Sequence, residues 1–191
     1  MARLAALIAL AAQNTPEARI RLGPDQNTPE VKVLETHSAR IAAPYAVLGV
    51  RTLGECLTGI DYLPVGAATL APLDAFSREV CWQLCAYLEH PDFRFDLPCR
   101  IAGTEYQRRV WDAVRSIRRG ETRSYADIAH ELHSAPRPVG TACGANRIPL
   151  IIPCHRVVGS AGIGGFMHSR GGPAIEIKRW LLQHEGVAGL Q

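Results

Sequence analysis

Lysine is almost missing from this chain: of 21 basic residues only Lys32 and Lys178 are lysines, and the other 19 are arginines. Arginine makes the bidentate phosphate contacts that lysine cannot, but a GC-rich genome gives the same bias and is the weightier explanation. No stretch of 18 apolar residues is present, which excludes a membrane-spanning helix. Paired C-x2-C units are absent too, so the cysteines at 56, 81, 85, 99, 143 and 154 offer no zinc framework and no metal is expected. Cys81 and Cys85 lie four apart on a predicted helix, yet two further ligands are not evident, and core packing is the better reading. Free, unevenly spaced thiols suit a reducing cytoplasm. No G-x-G-x-x-G follows a strand and no glycine-rich stretch ends in Lys-Ser or Lys-Thr, which argues against nucleotide binding.

What is present divides unequally. Residues 104 to 191 hold 12 basic and seven acidic residues, a balance of +5, whereas residues 1 to 103 hold nine and 11, a balance of −2. The C-terminal half is therefore the expected nucleic-acid half. At 191 residues the chain can hold one ordinary domain or two small ones. Residues 1 to 12 carry one Arg and a short alanine-rich run, which leaves open a signal segment, a loosely held helix or a leader. Asn-Thr-Pro-Glu occurs at 14 to 17 and again at 27 to 30; each copy resembles a helix start and is too short for a repeat fold.

From residue 46 the pattern reads as two paired strands, 46 to 51 and 56 to 63, covered by a helix over 73 to 89 that turns Leu73, Phe76, Val80, Leu84, Tyr87 and Leu88 inward. A turn-rich stretch near 92 to 103 marks a boundary. Thr104 and Gln107 form a capping box for a helix whose apolar face runs through Tyr106, Val110, Trp111, Val114 and Ile117 to a stop at Gly120. Ser124 caps a second helix, 125 to 133, with Asp127 at its third position. Pro136 and Pro138 fit only the first turn of a third helix, 136 to 145, because the amides there are free anyway. A tight turn joins the two, making a helix-turn-helix candidate, although ordinary helical hairpins look the same. Glycines 159, 162, 164, 165, 171 and 172 imply a mobile loop before a last helix, 173 to 184. The fold expected is α/β: residues 1 to 40 of uncertain order, a small sheet-plus-helix domain over 41 to 100, and a mostly helical, winged-helix-like domain over 101 to 191.

The chain centres on Ile151-Ile152-Pro153-Cys154-His155-Arg156-Val157-Val158. Pro153 biases Ile152 toward extended structure, so residues 150 to 152 read as a short buried strand and Cys154 falls on a turn. Adjacency does not bring Cys154 and His155 into contact. Lowering a thiol pKa from about 8.5 to about 7 takes only ~2 kcal/mol, which a nearby His and Arg can supply. A buried, inert Cys is the competing reading.

Pro153-Cys154-His155-Arg156-Val157 resembles the PCHRV box of the O6-alkylguanine-DNA alkyltransferases. Further matches are Gly103-Thr104-Glu105-Tyr106-Gln107, Gly120-Glu121-Thr122 with Ser124-Tyr125, Asn146 eight residues before the cysteine, and Trp180-Leu181-Leu182 with His184-Glu185-Gly186. The resemblance covers roughly residues 45 to 187 and argues against export. It implies repair of O6-alkylguanine, with O4-alkylthymine as a further substrate, in double-stranded DNA, by a monomer needing no cofactor. Cys154 is implied as the alkyl acceptor, His155 as the proton relay, Glu185 as its partner, Asn146 as a brace and Tyr125 as donor to the departing base. Glu185 otherwise stands at the unfavourable end of a helix, opposing its dipole by roughly 0.3–1 kcal/mol. The second helix of the motif is implied to enter the minor groove through Ala135, Gly140 and Thr141, with Arg137 filling the space left by the base and Thr104 and Ser124 also at the DNA. Val157, Ile163, Gly164, Phe166 and Met167 are implied to surround the base, with Phe166-Met167 in place of the Tyr-Ser pair of some members. That departure, with a lengthened stretch before Gly171, predicts a more tolerant pocket. The rival readings are a lesion-binding relative without the nucleophile, which Cys154 opposes, and a cysteine hydrolase, for which no oxyanion motif is found.

Overall fold

Three antiparallel strands open the computed structural model, which describes residues 37 to 187 and residue 189. The early apolar run and both Asn-Thr-Pro-Glu copies lie outside the described residues. The strands are β1 (Ala39–Ala42), β2 (Val47–Leu53) and β3 (Cys56–Leu63), in the order β1-β2-β3. In the central strand β2, Val50 pairs with Ala39 on one side and Ile60 on the other. Its residues 47 to 50 are all buried, which is why the sequence there is a continuous small apolar run and not an alternation. β1 is only four residues long and was not anticipated.

Helix α1 (Ala75–Glu89) begins one residue after Asp74, whose carboxylate accepts from Ser77 N at 2.6 Å while Ser77 Oγ accepts from Asp74 N at 3.1 Å. Leu73 precedes this cap and is 70% exposed, so its expected inward position is corrected; Val80, Leu84 and Tyr87 are buried as expected. Cys81 packs in the same core, and among the described residues no cluster of three metal-ligating side chains occurs. The irregular stretch that follows is fastened at two points. Gln83 donates to Asp96 O and accepts from Asp96 N, at 3.0 and 2.8 Å, and Leu57 pairs across to Cys99.

The second half carries α2 (Glu105–Arg115), β4 (Arg123–Ser124), α3 (Tyr125–Glu131), α4 (Pro136–Gly144), a 3-10 turn (Cys154–Arg156), β5 (Val157–Val158) and α5 (Pro173–His184). Both expected capping boxes are present: Thr104 with Gln107, and Ser124 with Asp127. Two helices end sooner than periodicity suggested. α2 stops at Arg115 because Ser116 Oγ bonds back to Ala113 O and Ile117 N takes Val114 O, tightening the final turn; Ile117 is buried beyond it. α3 stops at Glu131, and His133, at φ 51, reverses the chain so that Ser134 N reaches Ala129 O. Trp111 of α2, 1% exposed, donates its indole N–H to Ala142 O of α4 at 2.8 Å and thereby fixes the helix-turn-helix against α2. Truncating such a residue costs about 3–5 kcal/mol.

Contacts between the halves fall on α5 and on the segment that follows α4. The Tyr45 ring lies 4.5 Å from Trp180, His184 Nε2 bonds Tyr87 O at 2.9 Å, and Ile60 N donates to Arg147 O at 2.8 Å.

Candidate active site

Residues 150 to 152 do not form the expected strand. Leu150 lies at φ 75 and Ile152 N donates to Ile148 O at 3.0 Å, so the run is a buried turn. Asn146 holds it in place of a partner strand: its Oδ1 accepts from Ile148 N at 3.0 Å, and its Nδ2 donates to Ile152 O at 2.8 Å and to Cys154 Sγ at 3.3 Å. The turn expected at the cysteine is present as Cys154–Arg156, and β5 beyond it runs parallel to β4, tying the cysteine to the start of α3.

Behind the cysteine, His155 and Glu185 are each 1% exposed. His155 Nε2 lies 3.0 Å from Glu185 Oε1, Arg156 donates through Nε to Oε2 at 2.8 Å and through Nη2 to Oε1 at 2.9 Å, and Tyr87 of α1 donates to Oε1 at 2.8 Å. Arg156 Nη1 reaches Ile117 O at 2.6 Å. The expectation that Arg156 stabilises the thiolate directly is therefore corrected: its guanidinium is engaged by Glu185 and a carbonyl. Burial opposes ionisation of Glu185, but the His155 and Arg156 hydrogen bonds prevail and hold it well below the usual carboxylate range. Burial lowers His155, with Glu185 acting against it. The neighbouring Cys143 thiol and burial push the Cys154 thiol up, against the pull of Asn146 and Lys178.

Cys154, 5% exposed, forms part of the floor of a cavity of about 580 Å³. Tyr125, Arg137, Gly140, Thr141, Phe166 and Met167 also line it; Tyr125, Phe166 and Met167 were expected around the base, the other three at the DNA. Other residues named from the sequence lie outside the cavity lining. Val157 is fully buried and contributes its carbonyl to Lys178, Ile163 packs against the core, and Gly164, at φ 71, lies against Tyr125 without lining the cavity. Thr104 and Ser124 serve as helix caps, and Ala135 is the exposed N-cap of α4.

Four neighbours escaped the sequence reading: Tyr87, Cys143, His168 and Lys178. Lys178 sits on the buried face of α5, three residues from both Ile175 and Leu181, and that spacing was the available signal. Its Nζ donates to Val157 O at 2.5 Å and Gly165 O at 2.9 Å, and burial lowers its pKa to about 8. Tyr125 Oη also donates to Gly165 O, at 2.9 Å, so two donors anchor the loop. Beyond that anchor, Phe166 and Ser169 exchange backbone hydrogen bonds around Met167 and His168, at φ 50 and 60. Such a turn usually takes Asn-Gly. It lays the His168 ring over Gly144 of α4, where any side chain would collide with it.

A recessed thiol beneath a helix-turn-helix, backed by a histidine–carboxylate pair, defines a DNA-binding protein with cysteine-centred chemistry. Residues 105 to 187 match the DNA-binding domain of 6-O-methylguanine DNA methyltransferase. The chain is 38% identical over 157 residues to the methylated-DNA–protein-cysteine methyltransferase of Mycobacterium tuberculosis, spanning 78% of this chain and 92% of that one. It is 44% identical over 96 residues to a probable methylated-DNA–protein-cysteine methyltransferase of Acanthamoeba polyphaga mimivirus, spanning 49% of this chain and 61% of that one. The crystal structure of M. tuberculosis O6-methylguanine methyltransferase superposes with a TM-score of 0.65 at 38% identity, over 78% of this chain and 92% of that one. M. tuberculosis OGT in complex with DNA gives 0.63 at 38% identity, over 76% and 90%. The chain belongs to the methylated-DNA–protein-cysteine methyltransferase family, the O6-methylguanine DNA repair methyltransferases.

Proposed function

We propose that the protein removes the alkyl group of an O6-alkylguanine in duplex DNA by transferring it once and irreversibly to Cys154. The observation that carries this reading is the position of Cys154: recessed in the cavity beside α4, it meets only a base that has left the stack. The sulfur attacks the alkyl carbon in line, the S–C bond forms as the C–O bond breaks, and the electron pair passes to the base, which takes up a proton and leaves as guanine. His155, held at Nε2 by Glu185, has Nδ1 left for accepting the thiol proton through water. Asn146 orients the sulfur, and Tyr125 turns its hydroxyl from Gly165 O to the departing base. The thioether does not hydrolyse, so no cofactor or second turnover is involved.

The proposed setting is a cytoplasmic monomer acting on double-stranded DNA, with the division into domains near residue 100. Six free thiols favour that compartment, and among the described residues no helix is long and apolar enough to cross a membrane. Mixing the protein with an excess of duplex containing one O6-methylguanine should restore guanine in an amount equal to the protein added and then stop. Continued turnover, or no restoration, contradicts the proposal.

Arg137 is exposed near the N-terminus of α4 and lines the cavity mouth, where it can enter the stack as the base leaves. Arg137→Ala should slow transfer from duplex about tenfold and leave transfer from free O6-benzylguanine nearly unchanged. An equal loss on both substrates would assign the arginine to the fold.

The hairpin at Met167 and His168 leaves Met167 45% exposed at the cavity, presenting a flexible apolar chain in place of a small polar group. This favours tolerance of O4-methylthymine and bulkier alkyl groups. In competition among duplexes carrying methylguanine, methylthymine and benzylguanine, Met167→Ser should shift preference several-fold toward methylguanine. A strict methylguanine preference that the substitution leaves unaltered would show that the loop does not set substrate range.

A further inference from the structure

The mechanism leaves one thiol at the site without a task. Cys143 lies in the last turn of α4, half-buried, and its thiol neighbours that of Cys154 at the cavity. Asn146 donates its backbone N–H to Cys143 O at 3.2 Å and its side-chain Nδ2 to Cys154 Sγ at 3.3 Å, which ties the end of α4 to the reactive sulfur. Both also line the 580 Å³ cavity and a second one of about 640 Å³ that reaches Arg51, Gln107 and Arg147, so a small solute has access to the pair. The other four cysteines, at 56, 81, 85 and 99, belong to the first half of the chain. A disulfide sets the two sulfurs about 2.05 Å apart, and the shared cavity leaves both side chains room to rotate toward that geometry.

We propose that Cys143 is a resolving thiol for Cys154, capturing a nucleophile oxidised by a hydroperoxide as a reversible Cys143–Cys154 disulfide. With hydrogen peroxide, the Cys154 sulfur attacks one oxygen, the O–O bond breaks, and Cys154 sulfenic acid and water result. The Cys143 sulfur then attacks the sulfenic sulfur, the S–O bond breaks, and the hydroxide takes the thiol proton to leave as a second water. Two thiols have been oxidised and one peroxide reduced; a dithiol reductant reverses the bond by exchange. Without a resolving partner a sulfenic acid proceeds to sulfinic and sulfonic acids, which are not recovered. The inference rests on Cys154 being the reactive nucleophile, and it gives a protein that is used once a way to keep its unused copies.

The test is peptide mapping after treatment with hydrogen peroxide and alkylation of remaining thiols. Trypsin cleaves after Arg123, Arg147 and Arg156 but not between Arg137 and Pro138, so Cys143 and Cys154 fall in separate peptides, 124 to 147 and 148 to 156, each with no other cysteine. The peptides should be found joined, with methyl transfer lost, and dithiothreitol should separate them and restore most of the transfer. Cys143→Ser and Cys143→Ala should instead accumulate two or three oxygens on Cys154 and recover little of their own untreated activity. Overoxidation of Cys154 in the wild type without the cross-link, or equal recovery in the variants, would overturn the proposal. The peptide masses require no DNA, so this outcome is separate from any failure of alkyl transfer.

Discussion

Cys154→Ser should bind methylated duplex as the wild type does and transfer no methyl, a loss of at least about a thousandfold. The substitution keeps the size of the side chain and leaves α4, the cavity and Arg137 untouched, so the DNA surface persists. It removes the chemistry because a hydroxyl is far harder to deprotonate than a thiol, and His155, its basicity lowered by burial, cannot compensate. Gel-shift and transfer assays on the same duplex separate the two effects. Transfer retained in this variant, or methyl appearing on Cys143 or Cys99, would remove Cys154 from its assigned role.

Glu185→Gln should lower transfer about a hundredfold and destabilise the fold by roughly 3–5 kcal/mol, because a buried anion that four donor atoms share is replaced by a neutral amide. Gln also brings an N–H₂ group that needs acceptors where only donors point. The pH dependence has a defined sign. Glu185 is held below its unfolded value of about 4.3, so its contribution is present above that pH and is lost as pH falls from there toward the depressed folded value. The stability gap between wild type and Glu185→Gln should therefore narrow progressively below about pH 4. The apparent thiol pKa in the alkylation rate profile should rise, since His155 no longer has a carboxylate to support its protonated form. A lower melting temperature with an unchanged profile would make Glu185 purely structural.

The parts legible in the sequence were those governed by local rules. Thr104 with Gln107 and Ser124 with Asp127 cap helices as three-residue reciprocal pairs, and Pro136 and Pro138 fit only a first turn, so α2, α3 and α4 were placed within a few residues. The glutamate at the end of α5 was conspicuous because a helix terminus disfavours it, and Arg156, His155 and Tyr87 explain how it is tolerated. What stayed hidden depends on distant partners. β4 and β5 are two residues each and pair across 34 positions, too little for a periodic signal. Residues 150 to 152 are apolar in a buried turn as they would be in a strand, and only Asn146, four residues earlier, distinguishes the two. Tyr87 looked like one more core aromatic of α1, yet its hydroxyl reaches Glu185 across 98 residues. The strained turn at Met167 and His168 lacks the Asn-Gly that would have announced it.

Peptide mapping after the protein is mixed with duplex carrying a single O6-methylguanine tests the central claim most directly. The tryptic peptide of residues 148 to 156, which holds Cys154 as its single cysteine, should gain the mass of one methyl group in proportion to the guanine restored, while the peptide holding Cys143 stays unmodified. Guanine restored with no methyl on Cys154, or methyl distributed among several cysteines, would contradict the account.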